Sequence, residues 1–179
     1  MRNALEIENQ LIEEAKVSPE KFAVIYDRYV EQIYRYVYRR VREQAVAEDL
    51  VSQTFYDALS HLKSYKFIGF PFSSWLYKIA HNNVLRWYRS NSRQSRVDME
   101  EISELADVAS DLEQDIDAHT EQLSLKEAMD KLEYEEREII RLKYFEEISN
   151  IEIGHIMGIS ANNVGVKLYR ALKKLKQLI

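Results

Sequence analysis

The residues of this chain able to do chemistry are cations, amides and aromatic rings rather than nucleophiles. Five Lys/Arg and no acid stand between Val164 and Ile179, and Asn162 and Asn163 precede them. A second run, Lys78 to Val97, again holds five Lys/Arg and no acid. Eight of the twenty aromatic residues fall between Tyr65 and Tyr88: Tyr65, Phe67, Phe70, Phe72, Trp75, Tyr77, Trp87 and Tyr88. Cations neutralise phosphates, amides hydrogen-bond base edges, and aromatic faces stack on unpaired bases at roughly 1–3 kcal/mol each. The C-terminal set suits double-stranded nucleic acid; the central set suits unstacked bases.

Each set also has a structural interpretation. The C-terminal residues would fit an ordinary helical hairpin with a solvated basic face. Most of the aromatics would fit a core, and Phe55, Phe72, Trp87 and Tyr77 are expected there. Phe67, Ile68 and Phe70 cannot all point inward from so short a segment as 63–72. Catalysis has little support. Cys is absent, which excludes thiolate chemistry and disulfides. His61, His81, His119 and His155 are isolated, with no HExxH pattern, and His81 and His155 are expected to be partly exposed on helices. Glu48 and Asp49 are adjacent, so on a helix they diverge by about 100° and form no carboxylate pair. The four Gly are scattered and make no phosphate loop. No metal, cofactor or enzymatic activity is expected.

The elements carrying these residues are helices. With four Gly and two Pro in 179 residues, and no alternating strand pattern, an all-α fold is expected. The length suits two small domains. Residues 1–97 carry 15 Lys/Arg against 11 Asp/Glu, residues 98–117 carry nine acids and no base, and residues 118–179 carry ten of each. The net charge of −5 is therefore concentrated in one strap, and it does not oppose nucleic-acid binding by basic faces elsewhere. The expected division is an N-terminal segment (1–17), a helical domain (18–92), an acidic linker (93–117) and a second helical domain (118–179). The linker buries too little apolar surface to offset its ordering entropy, so alone it is expected to be largely unfolded. No apolar run approaches the ~20 residues of a membrane span, and no signal-peptide pattern opens the chain. A cytoplasmic protein is expected.

Within the first domain, Pro19 opens a helix burying Phe22, Ile25, Tyr26, Tyr29, Ile33, Tyr36 and Val37. A second, 43–62, sets Ala47, Leu50, Val51, Thr54, Phe55, Ala58 and Leu62 in register. After a break at Gly69 and Pro71, Ser73 is expected to cap a long helix reaching about Ser90. Its inner side carries Leu76, Ile79, Ala80, Asn83, Val84 and Trp87. Its outer side carries Lys78, Asn82, Arg86 and Arg89, with Trp75 at the edge. Residues 1–17 are amphipathic through Leu5, Ile7, Leu11, Ile12 and Ala15, a helix without an evident role. In the second domain, a short helix at 149–157 is expected to bury Ile151, Ile153, Ile156 and Met157. Gly158 gives a left-handed turn, and Ser160 caps a helix whose core stripe is Val164, Leu168, Ala171, Leu172, Leu175 and Leu178. This is a helix-turn-helix with a basic second helix.

Four blocks in order carry a family resemblance: AEDLVSQTF (47–55), FPFSSWLYKIAHN (70–82), EEREIIRLKYFEEISNIEIGHIMGIS (135–160) and NNVGVKLYRALKKL (162–175). The chain resembles bacterial RNA polymerase sigma factors of the sigma-70 family, extracytoplasmic-function (ECF) group, over nearly its whole length after Pro19. The resemblance implies a region-two-like first domain. There Glu48, Asp49, Leu50, Gln53 and Phe55 would dock on the clamp helices of the polymerase largest subunit. Lys66, Phe67, Trp75, Lys78, Asn82, Arg86 and Arg89 would melt and read the minus-ten promoter element, with Asn82 placed at a flipped base. It implies a region-four-like second domain. There Ser160, Asn162, Asn163, Lys167, Arg170 and Lys174 would read the minus-thirty-five element, the domain leaning on the flap of the second subunit. Its linker would thread the RNA-exit region, and an anti-sigma protein is a further partner that the resemblance implies.

The chain departs from the family pattern at several positions. Gly154 stands where Ala is usual, Glu133 where Pro is common, and Glu147 where Gly is common. Gly165 and Val166 replace a basic residue and a small hydroxyl in the recognition helix, so base preference does not transfer. Arg86 replaces a frequent Asp. Two other interpretations compete with a sigma factor. A stand-alone helix-turn-helix regulator would leave the aromatic and basic stretch at 63–89 unexplained. A helical adaptor using the acidic linker would bind no promoter.

Overall fold

A computed structural model of the chain describes residues 2–94, 125 and 127–179, so all but the first two residues of the expected acidic linker lie outside it. The described residues are helical, with no strand among them, and fall into two separate compact units.

The N-terminal unit holds α1 (Arg2–Val17), a single 3₁₀ turn at Pro19–Lys21, α2 (Phe22–Val41) and α3 (Gln44–His61). A second 3₁₀ turn (Leu62–Ser64) and a loop then lead to α4 (Phe72–Gln94). Helix α2 lies against both α3 and α4, and its stripe Phe22, Ile25, Tyr29, Ile33, Tyr36 and Val37 is buried at helical spacing. Ala47, Val51, Phe55 and Ala58 of α3 and Phe72, Leu76, Tyr77, Ala80 and Val84 of α4 close the core. Each fully buried large side chain contributes about 1.5–3 kcal/mol relative to exposure. Tyr26 departs from expectation, because it sits at the stripe's edge, 40% exposed, with its ring edge-on to Phe55 at 4.8 Å. Helix α1 buries Ile12 and Ala15, whereas Ile7 lies on the far side and is exposed.

The start of α4 corrects the sequence expectation. Ser73 is not its cap; the helix begins at Phe72. Pro71, fixed in φ and lacking an N–H, opens the turn, and its carbonyl accepts the Ser74 N–H at 3.0 Å. The Phe72 N–H instead donates to Glu8 Oε2 at 2.9 Å, so the cap comes from α1. A carboxylate at this end of a helix also meets the favourable end of its dipole.

Among the described residues of the C-terminal unit, 125 and 127–130 are helical and are followed by α5 (Tyr134–Tyr144), α6 (Asn150–Met157) and α7 (Ala161–Leu178). Both α5 and α6 lie against α7. Ala128, Met129, Leu132, Ile139, Ile140, Leu142, Ile148, Ile153 and Ile156 pack around Val164, Leu168, Ala171 and Leu175 of α7. Ser149 caps α6 reciprocally: its Oγ accepts the Glu152 N–H at 3.3 Å, and Glu152 Oε2 accepts the Ser149 N–H at 3.2 Å. Ser160 Oγ accepts the Asn163 N–H at 3.2 Å and caps α7 as expected. Ile151 was expected inside but is 61% exposed, since two residues along a helix from buried Ile153 is about 200° of rotation.

Two departures from the family pattern have visible backbone consequences. Glu147 adopts a left-handed φ of 55° where Gly is common. That conformation costs a side-chain-bearing residue about 1–2 kcal/mol, against roughly 0.5–1 kcal/mol of entropy for Gly. At Gly154, both the Gly158 and Ile159 N–H groups fold back onto the carbonyl. A Cβ added there would lie 2.6 Å from the Ile159 carbonyl oxygen, a backbone atom that cannot swing away. Glu147→Gly is therefore expected to stabilise the C-terminal unit by about 0.5–1 kcal/mol, read from hydrogen exchange of α5–α7 amides. Gly154→Ala is expected to destabilise it by about 1–3 kcal/mol despite the better helix propensity of Ala. A stabilised Gly154→Ala protein would show that the turn relaxes freely.

Candidate nucleic-acid interface

In the N-terminal unit the site is the loop 65–71 and the outer stripe of α4. Tyr65 is buried, its ring 5.1 Å from Phe72 and 5.0 Å from Trp75. Burial, then the nearby Glu8 and Glu13 carboxylates, push the Tyr65 phenol up to about 12, so it remains neutral at physiological pH. Phe67 and Ile68 are exposed at 39% and 55%, Lys66 is exposed, and Phe70 is half-buried; the loop displays two of its three large apolar side chains. Gly69 turns the loop with a φ of 88°. Trp75 is half-buried, its ring tilted against those of Tyr65 and Phe72. Along α4, Asn82, Arg86 and Arg89 are exposed and Lys78 is half-exposed, a stripe about 16 Å long.

The inner side of α4 fixes this stripe. Asn83 is buried and donates from Nδ2 to Thr54 Oγ1 at 3.3 Å and to Asp57 Oδ2 at 3.1 Å. Its Oδ1 accepts from Arg86 Nη1 at 3.2 Å, which draws the guanidinium toward the α3 side. His81 was expected to be partly exposed but is buried, 3.3 Å from the Tyr36 hydroxyl. Sequence reasoning placed Asn83 on the inner side but missed its role as a polar pin; a buried amide in an otherwise apolar stripe was the available signal.

On α3, Glu48, Asp49 and Gln53 are exposed on the outer surface. Gln44 Nε2 donates to Glu48 at 2.8 Å, and Gln53 Nε2 donates to Asp57 at 2.7 Å. Leu50 is half-buried. Phe55 is buried at 4% exposure between Phe22 and Tyr26, so it underlies that face instead of lying on it.

In the C-terminal unit, Ser160, Asn162, Asn163 and Arg170 are exposed around the start and outer face of α7. Lys167 and Lys174 are held by acids of α5: Lys167 Nζ lies 2.6 Å from Glu135 Oε2, and Lys174 Nζ lies 3.0 Å from Glu136 Oε2. The hydrogen bond from Lys174, and a further one from the Glu133 N–H, lower the Glu136 carboxyl below its ordinary range against some burial. Two of the expected DNA cations are thus partly neutralised within the unit. The outer face also carries Val166 and Tyr169, exposed at 42% and 70%; sequence reasoning singled out Val166 but missed Tyr169, which its spacing from Asn162 marked. At Gly165 a Cβ would make only an ordinary 3.8 Å contact with Asn150, so packing does not require that glycine. Among the described residues no group of acids and histidines is arranged to hold a metal ion, and no helix is long and apolar enough to cross a membrane.

Comparison with known proteins gives these two surfaces a family. Residues 25–94 match the family model described as Sigma-70 region 2, and residues 122–175 match Sigma-70, region 4. The RNA polymerase sigma factor YlaC of Bacillus subtilis (strain 168) is 30% identical over 154 residues, covering 86% of this chain and 88% of YlaC. The ECF RNA polymerase sigma factor BldN of Streptomyces coelicolor is 29% identical over 171 residues, covering 95% of this chain; the chain spans 65% of BldN's length. In fold, the chain is similar to the sigma factor RpoE of Bartonella quintana, solved with the anti-sigma factor NepR (TM-score 0.71, 21% identity, 89% of this chain and 96% of that one). Two regions matched in order, on units whose outer faces carry the amides and cations, make the chain a member of the sigma-70 family of RNA polymerase sigma factors, in its ECF group.

Proposed function

We propose that this ECF sigma factor binds core RNA polymerase and directs it to promoters through two separate DNA-reading surfaces, adding no covalent chemistry of its own. The observation that carries this reading is the exposed Asn82 in a cationic stripe on the helix that follows a loop displaying Phe67 and Ile68. Duplex DNA keeps its bases stacked, so a ring displayed on a loop finds a base face to stack on in an opened strand. Asn82 would hydrogen-bond an extruded minus-ten base, offsetting a few kcal/mol of unstacking. Lys66, Lys78, Arg86 and Arg89 would follow the strand's phosphates, with Phe67 and the exposed part of Trp75 against its bases.

The minus-thirty-five element would lie along α7. Ser160, Asn162 and Asn163 reach base edges, Arg170, Lys167 and Lys174 meet phosphates, and Val166 and Tyr169 offer apolar contact to thymine methyl groups. Glu48, Asp49, Gln53 and the exposed part of Leu50 would dock on the clamp helices of the largest subunit, supported from beneath by Phe55. The second-subunit flap would hold the C-terminal unit, and the acidic linker would pass the RNA-exit region. Release from an anti-sigma protein in the cytoplasm would control access to the polymerase.

Asn82→Ala is expected to leave core-polymerase affinity unchanged and to lower open-complex formation roughly tenfold, the loss of one good base contact. Permanganate reactivity of promoter thymines measures this; unchanged reactivity would remove Asn82 from the pocket. Removing the α5 acids tests the second surface. The double change Glu135→Gln, Glu136→Gln keeps an acceptor for the Glu133 N–H but releases Lys167 and Lys174. Holoenzyme carrying it is expected to bind a minus-thirty-five duplex up to roughly fivefold tighter at low salt, with a steeper salt slope. Unaltered affinity and slope would place both lysines away from the phosphates.

A further inference from the structure

Helix α1 precedes the matched region-2 stretch, which starts at residue 25, and two of its side chains reach the two ends of the aromatic loop. At one end, Lys16 Nζ donates to the Tyr65 carbonyl at 2.8 Å and lies 5.8 Å from the centre of the Tyr65 ring. At the other, Glu8 Oε2 accepts the Phe72 N–H at 2.9 Å, while the Tyr29 hydroxyl donates to Oε1 and Arg28 stands 4.0 Å from it. Glu8 is 9% exposed, so its charge is held by these partners rather than by water.

The spacing has a geometric consequence. Glu8 and Lys16 are separated by about 12 Å along a helix that rises ~1.5 Å per residue. The chain from Tyr65 to Phe72 could extend to about 24 Å at ~3.4 Å per residue. Held at both ends, residues 66–71 do not follow a straight extended path. Gly69, at a φ of 88°, takes the bend, and Lys66, Phe67 and Ile68 lie on the exposed part.

We propose that α1 is a ruler for the strand-capturing loop, with Glu8 and Lys16 as positioning residues that hold it bowed before DNA arrives. Neither side chain touches DNA. Both lower the ordering cost of the loop when bases stack on it, because its ends are fixed in advance. The inference rests on the single-strand reading of that loop.

The test uses the full chain with Lys16→Ala, Lys16→Arg and Glu8→Gln. Gln at position 8 removes the charge that Arg28 faces and leaves one acceptor oxygen where the carboxylate offers two. Hydrogen exchange of the 66–72 amides is expected to quicken about tenfold in Lys16→Ala and Glu8→Gln, while α2 and α3 amides keep their rates. Their holoenzymes are expected to bind core polymerase within about twofold of wild type yet to open duplex promoter roughly threefold to tenfold less, with less deficit on a pre-melted bubble. Lys16→Arg, which still donates to the carbonyl, restores opening. Unchanged loop exchange overturns the ruler, as does quickened exchange spread over the whole unit. A loosened loop that opens promoters like wild type overturns the positioning role. Wild-type holoenzyme that opens no duplex overturns the promoter reading itself, an outcome visible without any variant.

Discussion

Helical periodicity forces opposite chemistry onto opposite sides of α4 and α7, and the rest of each unit serves to bury one side and display the other. On α4 the buried side is Leu76, Ala80, Asn83 and Val84; on α7 it is Val164, Leu168, Ala171 and Leu175. A charged group on either side-chain set would have to leave water, at a cost far above any contact it could gain inside. Burial of one stripe therefore fixes where the amides and cations stand. Asn82 is outside because Asn83 is inside, pinned to Thr54 and Asp57.

The two surfaces are tuned differently. The N-terminal one keeps its cations along α4 and exposes Phe67 and Ile68 in a loop held by a helix distant in sequence. The C-terminal one spends part of its positive charge internally, on Glu135 and Glu136. Such exposed pairs are worth little to stability, but they lower the unspecific attraction of α7 for phosphate. In the proposed reading, recognition by that helix would lean on its amides and on Val166 and Tyr169 more than on charge.

Much of this was legible beforehand, where local rules govern. The α2 stripe apart from Tyr26, the Ser160 cap and the turn at Gly158 follow from spacing and residue type, and the structure contains them. What was not legible is tertiary. Ser73 looked like a cap because Ser often is one, but the acceptor for the first N–H of α4 comes from Glu8, 64 residues away in sequence. His81 looked exposed because its burial depends on Tyr36 of another helix. Phe55 fitted both a core position and a docking surface, and only packing against Phe22 and Tyr26 decides for the core. Ile151 was assigned inside on its apolarity, where the rotation of α6 about its axis governs. Lys167 and Lys174 read as free cations because their partners on α5 lie 32 and 38 residues back.

The central claim is that two basic helical faces become promoter-specific only when carried by a polymerase. Mapping RNA 5′ ends made on genomic DNA by core enzyme, with and without the purified chain, tests it most directly. The account predicts a small set of new start sites that share upstream sequence at two spaced elements and vanish without the chain. Start sites scattered as with core enzyme alone, or a chain that binds those sequences equally well without polymerase, would contradict it.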